Sequence, residues 1–123
     1  MTTQGHPRAT FHRAIERDNL MVAETVLREL GRPTLLELLD LTALIARKDP
    51  RRFDRVAARW VFRYLQAEAD VRLADVQAVV GCLAALGGPR HDEALLALRG
   101  LAEEVAGDYE GRRRRSPAST KTA

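Results

Sequence analysis

Thr34-Leu35-Leu36-Glu37-Leu38-Leu39-Asp40-Leu41-Thr42-Ala43-Leu44-Ile45-Ala46-Arg47 is the stretch on which the fold turns. Thr34 followed three places later by Glu37 reads as a capping box, in which each side chain satisfies a backbone N–H that the first helical turn leaves orphaned. Behind the cap, Leu35, Leu36, Leu38, Leu39, Leu41, Leu44 and Ile45 spread around much of the circumference of a 3.6-residue helix instead of forming one stripe. A helix apolar on several sides must be covered on several sides. It is therefore predicted to be the most buried helix, with neighbours packed around it.

Those neighbours are legible on both flanks. Upstream, a first helix is predicted from about Ala9 to Asp18, with Phe11, Ala14 and Ile15 on one face. A second follows over Leu20–Leu30, where Val22, Ala23, Val26, Leu27 and Leu30 recur at helical spacing. Asn19 is its natural N-cap and Gly31 the residue just past its end. Downstream, Asp49-Pro50 reads as an N-cap followed by proline in the first turn of a fourth helix running to about Ala69. Its inner face is Phe53, Val56, Ala57, Trp60, Val61, Tyr64 and Leu65, and Trp60 is the expected core anchor. A fifth helix, from about Leu73 to Leu86, turns Val76, Val79, Val80, Leu83 and Leu86 inward and stops at Gly87-Gly88-Pro89. A sixth, from about Arg90 to Ala106, buries Ala94, Leu95, Leu98, Leu101, Ala102 and Val105. It carries Asp92 and Glu93 in its first turn, where the helix dipole favours negative charge.

The fold class is accordingly all-α: about six helices packed as antiparallel hairpins, either a bundle or a short α-solenoid, because the connections are short. Composition agrees. The chain of 123 residues is 46% hydrophobic but only 5% aromatic, so its core is aliphatic, and Ala, Leu, Arg and Glu favour helix. Residues 1–8 are expected to be a flexible N-terminus and 9–110 the helical domain. Residues 111–123, GRRRRSPASTKTA, are expected to form a disordered basic tail, since they hold nothing large and apolar to offset the entropy of ordering.

A faint internal repeat underlies the hairpins. Moving the pair that starts at Leu35 by 38 positions lays Leu35 on Leu73, Ala46 on Ala84, Arg52 on Arg90 and Asp54 on Asp92. The stretch Ala14-Ile15-Glu16-Arg17-Asp18-Asn19-Leu20-Met21-Val22-Ala23-Glu24, closing at Arg28-Glu29-Leu30-Gly31, resembles the turn of tetratricopeptide- and HEAT-like helical repeats. Not all of the usual tetratricopeptide Trp, Gly and Pro positions are matched. The whole chain also resembles the short helical proteins of high-GC actinobacteria. These resemblances imply a scaffold that binds through helical surfaces, and they bring no catalytic residue with them.

Chemistry-bearing motifs are sparse. The glycines form neither GxGxxG nor GxxxxGK[ST], and there is no GxSxG or HExxH. Cys82 lies among Val79, Val80, Gly81 and Leu83, the setting of a small buried hydrophobe and not of an activated thiol. One cysteine also rules out an intrachain disulfide. His12 and Glu16, four apart on the first helix, make only two ligands of a metal site. Asp92-Glu93 and Glu103-Glu104 are explained by a helix N-terminus and a solvated face. No enzyme, cofactor or metal is expected. The start of the sequence is polar, without an apolar leader segment, and no run is long enough to span a bilayer, so the expectation is a cytoplasmic protein with no membrane contact.

Charge is the feature that generic helix packing does not explain. Arginine outnumbers lysine 18 to 2. Residues 47–63 carry seven basic and two acidic groups, whereas 64–110 carry three basic and nine acidic, so the helical domain is dipolar. On the fourth helix Arg51, Arg55, Arg59 and Arg63 recur every four residues, with Phe62 among them. One reading is a solvated face whose arginines pair with acids of the fifth and sixth helices. The other is a partner-binding surface made of Arg51, Arg55, Arg59, Phe62 and Arg63, in which forked donors flank an aromatic anchor. The function expected from the second reading is a non-enzymatic protein-interaction module, with self-association among its modes, since the two halves of the domain carry opposite signs. The alternative partner is nucleic acid, held by the arginine stripe and the basic tail. A negatively charged helical domain and the lack of base-reading Asn or Gln on the fourth helix argue against it.

Overall fold

A computed structural model describes residues 6–105. The tail from 111, and most of the N-terminal segment, lie outside the described residues. Over the described residues the chain is a six-helix, all-α bundle built as three antiparallel hairpins. Helix α1 spans Pro7–Glu16 and α2 Leu20–Leu30; α3 spans Leu35–Lys48 and α4 Phe53–Ala67; α5 spans Leu73–Ala85, and α6 begins at 91 and is described through 105. A single 3-10 turn, Pro50–Arg52, leads into α4.

The caps act largely where the residue types place them. Asn19 accepts from the Val22 N–H at 3.2 Å. Thr34 accepts from Glu37 N–H at 3.0 Å while the Glu37 carboxylate accepts from Thr34 N–H at 2.8 Å, closing the capping box. Gly31 does end α2, at φ +76° and ψ −44°, with Arg32 N–H donating to the Leu30 carbonyl at 2.8 Å. That is a γ-turn of the positive-φ kind, which a side chain would strain. Several boundaries differ from expectation by one to three residues; α1 ends at Glu16 and α4 at Ala67, each short of the expected end. Helix α1 starts two residues early because Pro7 is already suited to a first turn. Asp49 makes no side-chain cap; its carboxylate instead binds Arg52 Nε at 2.8 Å, and the proline-led turn precedes α4.

Burial divides the core in two. Phe11, Ala14, Ala23, Val26, Leu27 and Leu44 form one cluster between α1, α2 and α3. Leu39, Ala43, Ala46, Ala57, Trp60, Tyr64, Val79, Leu83, Leu98 and Ala102 belong to the other, between α3, α4, α5 and α6. Helix α3 contributes to both, as its all-round apolar pattern requires. Trp60 is fully enclosed, lies against Tyr64 with ring centroids 5.8 Å apart, and donates from Nε1 to the Leu35 carbonyl at 3.0 Å. The 38-residue shift also reappears: α3 and α5 start at Leu35 and Leu73, α4 and α6 at 53 and 91. Trp60 and Leu98 thus hold equivalent places in their hairpins, both buried.

Helix α3 also buries charge. Glu37 pairs with Arg8 of α1 at 3.1 Å, and Asp40 pairs with Arg99 of α6 at 3.1 Å. Together the two pairs attach the first and last helices to the central one. Burial pushes the Asp40 carboxyl above its ordinary value; Arg99 and then His12 pull it back only in part, and Glu37 adds to the rise.

Two outcomes follow from this packing. Trp60→Ala should cost about 3–5 kcal/mol, the usual range for truncating an enclosed large aromatic, read as a fall in the urea midpoint. Asp40 should leave a pH signature. Its folded pKa lies above the unfolded one, so the native state retains a proton that the unfolded state has lost. The stability this contributes is greatest below the ordinary carboxylate range and is lost as pH rises through the folded value. The difference in unfolding free energy between wild type and Asp40→Asn should therefore shrink, or turn negative, on going from acid toward neutral pH. A difference that grows with pH over that window contradicts the assignment.

Candidate functional site

Helices α2 and α4 both pack on α3, from either side, and do not pack on each other. The space between them is a groove of about 690 Å³. Its floor comes from α3, with Leu38, Leu41 and Ile45, and from Val56 of α4. Arg52, Arg55, Arg59 and Arg63 stand along its α4 side, together with Phe62. One smaller depression, of about 300 Å³, continues from it toward Gly31 and Pro33 and shares Glu24 and Leu41. Another, of about 560 Å³, lies around Arg51, Arg55 and Arg59. All five residues predicted for the partner surface therefore line the groove or the depression that adjoins it.

The arginines differ sharply in what they touch. Arg52 is held by two carboxylates: Nη1 and Nη2 donate to Glu24 of α2 at 2.8 and 3.1 Å, and Nε donates to Asp49. Hydrogen bonding to Glu24 and then to Asp49 raises the Arg52 pKa above its ordinary value. This bidentate pair ties α2 to the start of α4 across the groove. Arg63 donates to the Pro33 carbonyl at 3.4 Å. The guanidinium groups of Arg51, Arg55 and Arg59 make no ion pair or hydrogen bond among the described residues. Among the described residues no acid of the C-terminal half pairs with these three; Arg52 beside them finds its partners on α2 and in its own turn.

Phe62 is 62% exposed beside these cations. A helix selected only for packing gains nothing from an aromatic there. Nor does it gain from three unpaired arginines at four-residue spacing, where like charges repel by about 0.2–0.5 kcal/mol per pair. What the arrangement can do is bind: an apolar floor to take up hydrocarbon, forked donors to orient anions, and an aromatic edge on which either can rest.

The sequence did not reveal the groove itself, because it arises from which helices share α3. It also hid the Glu24–Arg52 strut, whose partners lie 28 positions apart. His12 and Glu16 join no metal-ligand set; among the described residues no group of three or more His, Cys, Asp or Glu is placed to hold an ion. Cys82 is half-buried on α5. Among the described residues no helix is long and apolar enough to cross a membrane. Comparison with protein families, with curated proteins and with solved structures finds no match to this chain.

Because Arg51, Arg55 and Arg59 make no ion pair among the described residues, although Asp54 lies in the same depression, replacing the three together by Gln should not destabilise the fold. Relief of like-charge repulsion should leave the urea midpoint unchanged or raise stability by up to about 1 kcal/mol. A loss of 2 kcal/mol or more, taken as roughly twice the upper value of an exposed ion pair, would show that the stripe is structural after all.

Proposed function

We propose that this protein is a non-enzymatic interaction module whose α2–α3–α4 groove receives an acidic, amphipathic segment of a protein partner. The observation that carries the reading is the coincidence, in one groove, of an apolar floor with unneutralised arginines. A partner helix with apolar residues on one side and carboxylates on its flanks satisfies both. The repeat-like turn at residues 14–31 suits such a role, because helical-repeat scaffolds bind along surfaces formed between helices. A cytoplasmic location in a bacterium completes the picture.

Nucleic acid is the competing partner, favoured by the same free arginines. The floor of Leu38, Leu41, Ile45 and Val56 argues against it, since phosphates gain nothing from aliphatic surface. Salt separates the two: phosphate binding weakens steeply with ionic strength through counterion release, whereas a contact resting partly on apolar burial weakens less.

The test uses a fluorescently labelled acidic amphipathic helical peptide and a short DNA duplex, each titrated with the full chain. The peptide should bind, and Arg55→Gln/Arg59→Gln/Arg63→Gln should weaken it by about tenfold to a hundredfold, equivalent to about 1.4–2.8 kcal/mol. Phe62→Ser should weaken the peptide and leave any duplex binding nearly unchanged. Duplex binding that exceeds peptide binding, with a steep salt slope, overturns the protein-partner reading.

A further inference from the structure

The groove lacks an acidic apolar helix, and the same fold displays one. On α6, Asp92, Leu96, Gly100, Glu103 and Glu104 are all exposed and lie along one side of the helix at four- or three-residue spacing. Leu96 is 72% exposed, a large apolar side chain with no role in either core cluster. Around it, Asp92, Glu103 and Glu104 make no ion pair among the described residues. A Cβ placed on Gly100 would meet nothing within 4 Å, so one turn beyond Leu96 the backbone is open to close approach. The two surfaces also match in length. Arg51 to Arg63 and Asp92 to Glu104 each cover twelve steps of chain, about 18 Å at helical rise.

Resting on the groove reading above, we infer that its occupant is α6 of a second copy of this chain, with Leu96 set on the apolar floor and the acids at either end against the free arginines. Within one copy this contact cannot form. The Arg99–Asp40 pair holds α6 on one flank of α3, and on the helical wheel Asp40 lies roughly opposite Leu38 and Ile45, which face the groove, and about a quarter turn from Leu41. Each copy thus presents a receptor on one side and a ligand on the other. Two different surfaces meeting in this way make a heterologous contact, which adds copies head to tail into a chain or a closed ring.

That geometry has a distinctive test by sedimentation velocity on the full chain. Wild type should show a weight-average mass that rises with concentration and falls as salt is raised. Arg55→Glu/Arg59→Glu removes the receptor and Leu96→Asp/Glu103→Lys removes the ligand; all four positions are exposed, so both variants should keep the wild-type circular dichroism and urea midpoint. Each should sediment as a monomer. Mixed one to one, they should form a dimer and nothing larger, since only one live receptor and one live ligand remain. A monomeric wild type that still binds the acidic peptide overturns the self-association and leaves the groove reading standing; a wild type that does neither overturns both. Association that survives either variant, or a mixture that stays monomeric, also overturns the inference.

Discussion

Everything in this fold depends on α3 being buried from two sides. A helix with leucines around most of its circumference cannot rest on a single neighbour, so one hairpin covers it through Leu44 and the others through Leu39, Ala43 and Ala46. The two core clusters are separate because α3 is the wall between them. With α2 committed to one side of that wall and α4 to the other, the two cannot also pack on each other. The groove is the geometric remainder of satisfying α3, and its floor is α3's own apolar surface. This explains how a small aliphatic domain keeps a concave apolar site on its surface.

Charge is distributed according to the same geometry. Where α3 meets the outer helices, carboxylates are buried and paired: Glu37 with Arg8, Asp40 with Arg99. Asp18, in the left-handed backbone conformation at the α1–α2 turn, pairs with Arg47 at the far end of α3. Across the groove Glu24 pairs with Arg52. Ion pairs thus attach α1, the α1–α2 turn and α6 to α3 and link α2 to the turn before α4, whereas α5 is held through the apolar contacts of Val79 and Leu83; among the described residues Arg51, Arg55 and Arg59 have no ion pair. The acidic half answers elsewhere: burial, and then the negative groups Asp75, Glu68 and Glu104, push the Tyr64 phenol above its ordinary value. The dipole of the domain is thus maintained in the folded state and not cancelled by internal pairing.

Much of the architecture was legible in the chain because helix starts are local events. Asn19 and the Thr34/Glu37 box act within three residues, and the 38-residue shift anticipates where α5 and α6 begin. The apolar spacing of α4 likewise singled out Trp60, whose enclosure needs only that its face meet a core. What was not legible depends on several helices at once. Glu37 reads only as half of a capping box and Asp40 carries no signal of its own, and only the positions of Arg8 and Arg99, 29 and 59 places away, show them to be buried pairs. Asp49-Pro50 has the form of a cap, yet Arg52 competes for the carboxylate and wins. The arginine stripe was visible, but which of its members find a partner was not, since that requires knowing which carboxylates the packed helices bring to each guanidinium.

A helix face that holds like charges at four-residue spacing, beside an exposed aromatic, gives up stability relative to a polar neutral face. The cost is small, a few tenths of a kcal/mol per neighbouring pair, but nothing inside the described fold offsets it. Leu96 on α6 carries a parallel cost, since an exposed leucine forgoes the roughly 1.5–3 kcal/mol that its burial would contribute. The proposed docking of an acidic helix with an apolar ridge would recover both. Arginine suits the receptor side better than lysine would, because its planar fork meets a carboxylate with two parallel donors and it sheds water more readily. In the proposed docking the floor would supply the burial and the stripe the register, and Leu96 differs from the more exposed Met21 and Leu73 in standing on a helix face with Asp92, Glu103 and Glu104.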